Sequence, residues 1–287
     1  MHILTRYAHR MSAIIATLTP QGLVEMPFSG ERISEIATQE PAGVYDVTRT
    51  YSGGRALLLD SYFDRLERSA QLAGIDKWID RPATRLAIKR LLAQSGFEEV
   101  RLRLTIPRHT PQDLIIALAD YAPFHSRLHR IKEHGAIVAT LSISRRNPAA
   151  KTNDWVQERS DAHAHMAGDV YEGIILDQNN RLLEGFSSNF FAIRNGRLFT
   201  ADENILPGIS RGILLAIAPD VLPVEFIAPE KKQISTFDEA MLTSSGRGVL
   251  PIAQNDDHVL GKGVPGPLTS QLMREYDDWV EAHLEVI

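Results

Sequence analysis

No cysteine occurs among the 287 residues, which removes disulfides, thiolate nucleophiles and cysteine-ligated zinc or iron–sulfur centres. No apolar run approaches the roughly 20 residues of a membrane-spanning helix. Residues 1–7 lack the charged stretch and apolar run of a secretory leader, so a cytoplasmic protein with no membrane partner is expected. Positive charge is neither abundant nor concentrated: 31 Lys and Arg against 36 Asp and Glu leave a formal charge of -5. The electrostatic footprint of a nucleic-acid binder is missing. Internal repeats and low-complexity tracts are missing too.

The chain does have 44% hydrophobic residues, enough to core one large domain or two of ordinary size. Residues 12–28 read as strand, turn, strand around Pro20-Gln21-Gly22, and Gly43–Tyr51 alternates apolar with polar residues before a Ser52-Gly53-Gly54 turn into Ala56–Leu59. Helical spacing predicts helices over 61–73 and 83–95, followed by strands over 100–106 and 113–118. Tyr121–Leu128 reads as the start of a connection, and Ala136–Leu141 as a new strand. The expected layout is a small α+β N-terminal domain (1–125), a linker (126–135) and a larger domain (136–287), with a ligand in the cleft between them. Further on, a helix over 153–166 stopping near Gly168 precedes a series of hairpins. Asn195-Gly196 suits a type I′ turn. Helices are expected over 209–218 and 267–284.

The candidate chemistry clusters between Lys151 and Arg211. Lys151 stands just before the expected helix; with a lowered pKa such a lysine can bond an aldehyde cofactor and shuttle a proton, although most lysines are solvated surface charges. Glu184 sits in a strand beside Leu182, Leu183 and Phe186, where a carboxylate is costly unless a cation faces it; otherwise it points to water from an edge. Leu206-Pro207-Gly208-Ile209-Ser210-Arg211 is a turn entering a helix, whose free N–H groups suit an anion. Two decoys are set aside. Gly261-Lys262-Gly263-Val264-Pro265-Gly266 has dinucleotide-loop spacing but no room for a following βαβ unit. Asp161, His163 and His165 point to different helix faces, so no metal site is expected.

The order Glu184-Gly185, Ser188-Asn189-Phe190-Phe191, Asn195-Gly196-Arg197-Leu198-Phe199-Thr200 and Leu206–Arg211 resembles the class IV, or fold type IV, aminotransferases. That family includes the branched-chain and D-amino-acid aminotransferases and aminodeoxychorismate lyase, and the likeness runs from about Gly43 to the C-terminus. It implies a two-domain α+β fold with pyridoxal 5'-phosphate in the interdomain cleft, held as a Schiff base by Lys151. Glu184 would face the pyridine nitrogen, with Ser188 and Asn189 beside the cofactor. Arg65, Ile209, Ser210 and Ser245 would bind its phosphate. Tyr45, Arg101, Arg103, Gly246 and Arg247 are the candidates for lining the substrate site; Tyr45 could equally be a core tyrosine, and Arg247 stands where many relatives have a small residue. Tyr62 replaces a histidine common three residues before the phosphate arginine, and Thr152-Asn153-Asp154-Trp155 replaces the usual residues after the lysine.

The activity implied is amino transfer between an L- or D-amino acid and a 2-oxo acid, by a homodimer. The alternatives are a lyase using the same cofactor and lysine, or an idle relative kept as a binding protein.

Overall fold

The computed structural model describes residues 13–26 and 30–287; residues 1–7 and the end of the second expected strand, residues 27–28, lie outside them. In chain order the elements are β1 (Ala13–Thr19), β2 (Gly22–Glu25), α1 (Ile33–Ala37), β3 (Gly43–Tyr51), β4 (Arg55–Leu57), α2 (Leu59–Leu72), α3 (Arg81–Ser95), β5 (Val100–Pro107), β6 (Leu114–Asp120) and α4 (Ala122–His134). There follow β7 (Ala136–Leu141), α5 (Asp154–Ala164), β8 (Glu172–Leu176), β9 (Leu182–Gly185), β10 (Asn189–Arg194), β11 (Arg197–Phe199), α6 (Ile209–Ile217) and β12 (Val224–Glu225). The chain closes with β13 (Glu239–Ser244), β14 (Gly248–Asn255), β15 (His258–Val259), α7 (Pro267–Ala282) and β16 (Leu284–Val286).

The first sheet runs β16-β4-β3-β5-β6-β1-β2. Strand alternation decides its two faces. Val44, Leu102, Leu104 and Ile116 meet Phe63 and Leu66 of α2 and Ile88 and Leu91 of α3 in one core. Their neighbours in sequence, Tyr45 and Val47 on β3, pack instead with Val156 of α5, so this face of the sheet looks toward the second half of the chain.

The second sheet runs β12-β11-β10-β13-β14-β7-β8-β9, and β9 also pairs with β10. Six strands, β7 to β10 with β13 and β14, therefore close into a ring. The closure is the register pair Glu184 opposite Asn189, which brings two of the sequence candidates side by side. Alternate residues of these strands feed two cores: Phe190, Leu242 and Leu250 on one face, and Phe191, Met241 and Val249 on the other, under α6 and α7. Asn195 and Gly196 have φ of 51° and 66°, the left-handed pair that a type I′ turn needs.

Two local expectations are corrected. Residues 126–135, read as a linker, are the body and end of helix α4. Pro123 does not break it because proline is tolerated in a first helical turn, and Phe124, Leu128 and Ile131 form an apolar stripe against the second core. The helix stops at Gly135, whose φ is 80° and where a Cβ would meet Ala253. The final helix ends at Ala282, and Leu284–Val286 returns to pair with β4 in the first sheet. Glu285 then accepts Leu59 N at 2.9 Å at the start of α2. No helix among the described residues is long and apolar enough to cross a membrane.

Candidate active site

Residues 151–153 behave as an extra edge to β3. Tyr45 N donates to Lys151 O at 2.9 Å and Asn153 N to Gly43 O at 3.0 Å, while Lys151 N donates to Ser69 Oγ at 3.2 Å. The lysine is thereby clamped between β3 and α2. Its Nζ lies 3.8 Å from Asp46 Oδ1 and 5.3 Å from the centre of the Tyr45 ring. Burial lowers its pKa to about 8, with Arg65 adding to the effect and Asp46 opposing it. Burial disfavours ionisation of Tyr45, but Arg159, Lys151, Arg103 and Arg145 around it bring it down to about 8.

Glu184 is buried in β9, as its apolar neighbours suggested, and a cation does face it. Oε1 accepts Arg145 NH1 at 2.5 Å and Oε2 accepts Leu206 N at 2.9 Å. Burial pushes the carboxyl upward against the pull of Arg145. Arg145 also donates to Ala150 O at 3.0 Å and lies 5.3 Å from the Trp155 ring centre. Sequence reasoning did not assign Arg145 a role; the one signal for it was an apolar strand that demanded a cation.

The turn expected to cup an anion leads into the N-terminus of α6, with Gly208 as its N-cap. Asn189 Nδ2 donates to Leu206 O at 2.8 Å and fastens the turn. Gly208 is required there, since a Cβ would run into Asn189 Oδ1. Ser210 Oγ accepts the Tyr276 hydroxyl at 2.8 Å. Ser245 hydrogen-bonds Tyr62, the residue standing where a histidine is common. Arg65 lies beside the cup, its Nε and NH2 on Asp46 at 2.8 and 2.6 Å. Tyr45, Arg65, Lys151, Glu184, Ser188, Asn189, Ile209, Ser210 and Ser245 thus line one crevice. Within it, Ser188 Oγ and Thr243 Oγ1 are buried with no hydrogen-bond partner. Unspent donors, an anion cup, a depressed lysine and a buried carboxylate fit a phosphorylated aldehyde cofactor.

The crevice opens, past Tyr45, Lys151 and Ser245, into a cavity of about 560 Å³ walled by Arg101, Phe124, Arg159, Tyr171, Gly246 and Arg247 among others. The three arginines predicted for substrate differ sharply. Arg101 has a buried Nε with no partner and stacks 4.4 Å over Phe124; burial, with Arg247 and Arg159 nearby, lowers it to about 10. Arg103 lines neither space. It is 1% exposed, lies 3.8 Å from the Tyr45 ring centre, and donates to Glu40 at 2.7 Å and Asn153 at 2.8 Å. Arg247 reaches the cavity wall but is spent within it, on Glu172, Ser187, Ser244 and Tyr171. Arg159, one turn along α5 and unremarked in the sequence, faces the cavity with one hydrogen bond, to Phe186 O at 3.3 Å.

This fold and this site define an enzyme that works through an aldehyde cofactor with a phosphate handle. The family model for amino-transferase class IV matches residues 43–254, and the chain belongs to that family of pyridoxal-phosphate enzymes. It is 33% identical over 244 residues to a probable branched-chain-amino-acid aminotransferase of Thermotoga maritima, covering 83% of this chain and 86% of that one. It is 24% identical to a D-alanine aminotransferase of Staphylococcus aureus, over 84% and 89% of the two chains. It spans 54% of the length of branched-chain-amino-acid aminotransferase-like protein 2 of Arabidopsis thaliana, at 24% identity over 93% of this chain. Its fold matches the T.th. branched-chain amino acid aminotransferase solved with pyridoxamine 5'-phosphate, with a TM-score of 0.78 at 20% identity over 95% and 97% of the chains.

The lysine yields a first expected result. Only the neutral amine attacks an aldehyde, so the cofactor-free chain should capture pyridoxal phosphate about tenfold faster per pH unit on approach to about 8, then level off. Stopped-flow absorbance reads this; a rate that keeps climbing tenfold per unit well past pH 8 would mean that Lys151 is not depressed.

Proposed function

We propose that this aminotransferase takes amino acids and 2-oxo acids whose carboxylate lies against Arg101, with Lys151 as its working base. The observation that carries the reading is that Lys151 and Arg101, whose buried Nε has no hydrogen-bond partner, line one cavity. When bound, the cofactor supplies an electron sink for the carbanion left by loss of the substrate's α-proton. Lys151 Nζ takes that proton and holds it for return. Glu184 would keep the ring nitrogen protonated, with Arg145 balancing its charge. Arg65, the Ile209 and Ser210 N–H groups, and the hydroxyls of Ser210 and Ser245 would hold the phosphate. Ser188 Oγ and Asn189 border the same crevice. Phe124, Tyr171 and Phe186 line the outer cavity and would exclude water from the reacting carbon. A homodimer completes the proposal, on the strength of the family resemblance alone.

Arg101→Gln tests it. Losing a charge-assisted hydrogen bond should raise KM for carboxylate substrates roughly ten- to a hundredfold and leave KM for a primary amine without a carboxylate near its original value. Equal effects on both substrates would place the carboxylate elsewhere.

A further inference from the structure

Asp46 follows Tyr45 on β3, yet nothing in the sequence marked it, and no step of amino transfer requires it to touch substrate or cofactor. Its carboxylate is 2% exposed, a costly position for an unpaired charge. It is met by Arg65 in a two-toothed contact, Nε to Oδ2 at 2.8 Å and NH2 to Oδ1 at 2.6 Å. Val47 N adds a third donor at 2.7 Å. Because the guanidinium is planar, using that edge on Asp46 turns NH1 away from it. Arg65 borders the same crevice as Ser210 and Ser245, so NH1 is the part left for an anion there. On the other side of the same oxygen, Oδ1, stands Lys151 Nζ at 3.8 Å.

The charged and titratable groups around Lys151 come from five elements. β3 supplies Tyr45 and Asp46, α2 supplies Arg65, α5 supplies Arg159, the segment before Lys151 supplies Arg145, and β9 supplies Glu184. Two of these are carboxylates, and Glu184 is held by Arg145 at 2.5 Å. That leaves Asp46 as the anion shared between the lysine and the phosphate arginine.

We infer that Asp46 is the positioning residue of this site: it aims Arg65 into the anion cup and holds the Lys151 ammonium whenever that side chain is not bonded to the cofactor. The two tasks are coupled. An anion drawing Arg65 away from Asp46 strengthens the hold of Asp46 on the lysine proton, and removing Asp46 frees the amine while loosening the arginine. The inference rests on Lys151 and Arg65 being the residues that hold the cofactor.

The test uses the full chain freed of cofactor, with lysines tagged by ¹³C reductive methylation and the Lys151 signal identified by its absence in Lys151→Ala. NMR against pH then reads its titration midpoint directly. In Asp46→Asn the midpoint is expected to fall by about one unit or more below the wild-type value of about 8. In Arg65→Gln it is expected to rise, because a cation is lost and Asp46 is left to the lysine alone. Inorganic phosphate, as the probe for the cup, should bind Asp46→Asn roughly tenfold more weakly, with Asp46→Glu restoring much of both effects. An unshifted midpoint in a folded Asp46→Asn, or shifts of the same sign in the two variants, overturns the inference. Where Asp46→Asn does not fold, Arg65→Gln decides, and a midpoint that stays or falls overturns it. None of these readings needs the cofactor. The parent assignment fails separately, if Lys151→Ala and wild type give the same visible band with pyridoxal phosphate.

Discussion

Lys151→Ala is expected to lower kcat/KM for amino transfer about 10⁴-fold or more, since one side chain both bonds the cofactor and moves the proton. The expectation follows from placement. The Lys151 side chain is mostly buried, its backbone is pinned to β3 and α2, and among the described residues no other lysine lines the crevice or the cavity beyond it. Steady-state rates with an L- and a D-amino acid, each paired with a 2-oxo acid, measure the loss and show which hand is used. A variant within tenfold of wild type would end the case for Lys151. Because the variant removes a buried charge beside Asp46 without opening a core cavity, thermal unfolding should show it folded.

Arg247→Ala should destabilise the fold by about 3–5 kcal/mol, the cost of leaving one partner of a buried ion pair behind. The sequence presented this arginine as a free hand for substrate. In the structure its NH1 meets Glu172 Oε2 at 2.6 Å and the Tyr171 hydroxyl at 3.5 Å, Nε meets Ser244 Oγ at 2.6 Å, and NH2 meets Ser187 O at 2.8 Å and Oγ at 2.6 Å. Burial by itself would lower the guanidinium, but Glu172 and Tyr171 beside it carry its pKa well above the ordinary value. Glu172 agrees in sign: burial raises it, and Arg247 and Ser187 override that to hold it below the usual carboxylate range. The pair ties β8, the turn after β9 and the turn after β13 into one wall of the cavity. Denaturant unfolding measures the loss. An unchanged midpoint, with a raised KM for 2-oxo acids alone, would return Arg247 to the role of substrate grip.

Much of this protein was written in local stretches of sequence. Alternation along Gly43–Tyr51, the Asn195-Gly196 turn, the Pro-Gly entry to α6 and the isolated Glu184 each depend on neighbours within a few residues, and each stands in the structure where periodicity or turn chemistry put it. Residues 126–135 were read as a connection because the apolar stripe of Phe124, Leu128 and Ile131 needed the second core to give it meaning. The terminal strand β16 likewise depends on an edge at β4 more than 200 residues earlier, as the Glu285 contact with Leu59 at a separation of 226 makes plain. Side-chain partnerships were hidden for the same reason. Asp46 meets Arg65 across 19 residues, Glu184 meets Arg145 across 39, and Arg247 meets Glu172 across 75. Short motifs carried the family and most of the residues that line the crevice, and local patterning determined most of the elements, because backbone conformation answers to short-range sterics and burial. Which arginine is spent on the protein's own carboxylates, and which keeps an unpaired donor, was decided by strand register and helix packing, since a guanidinium answers to whatever anion the fold brings within reach.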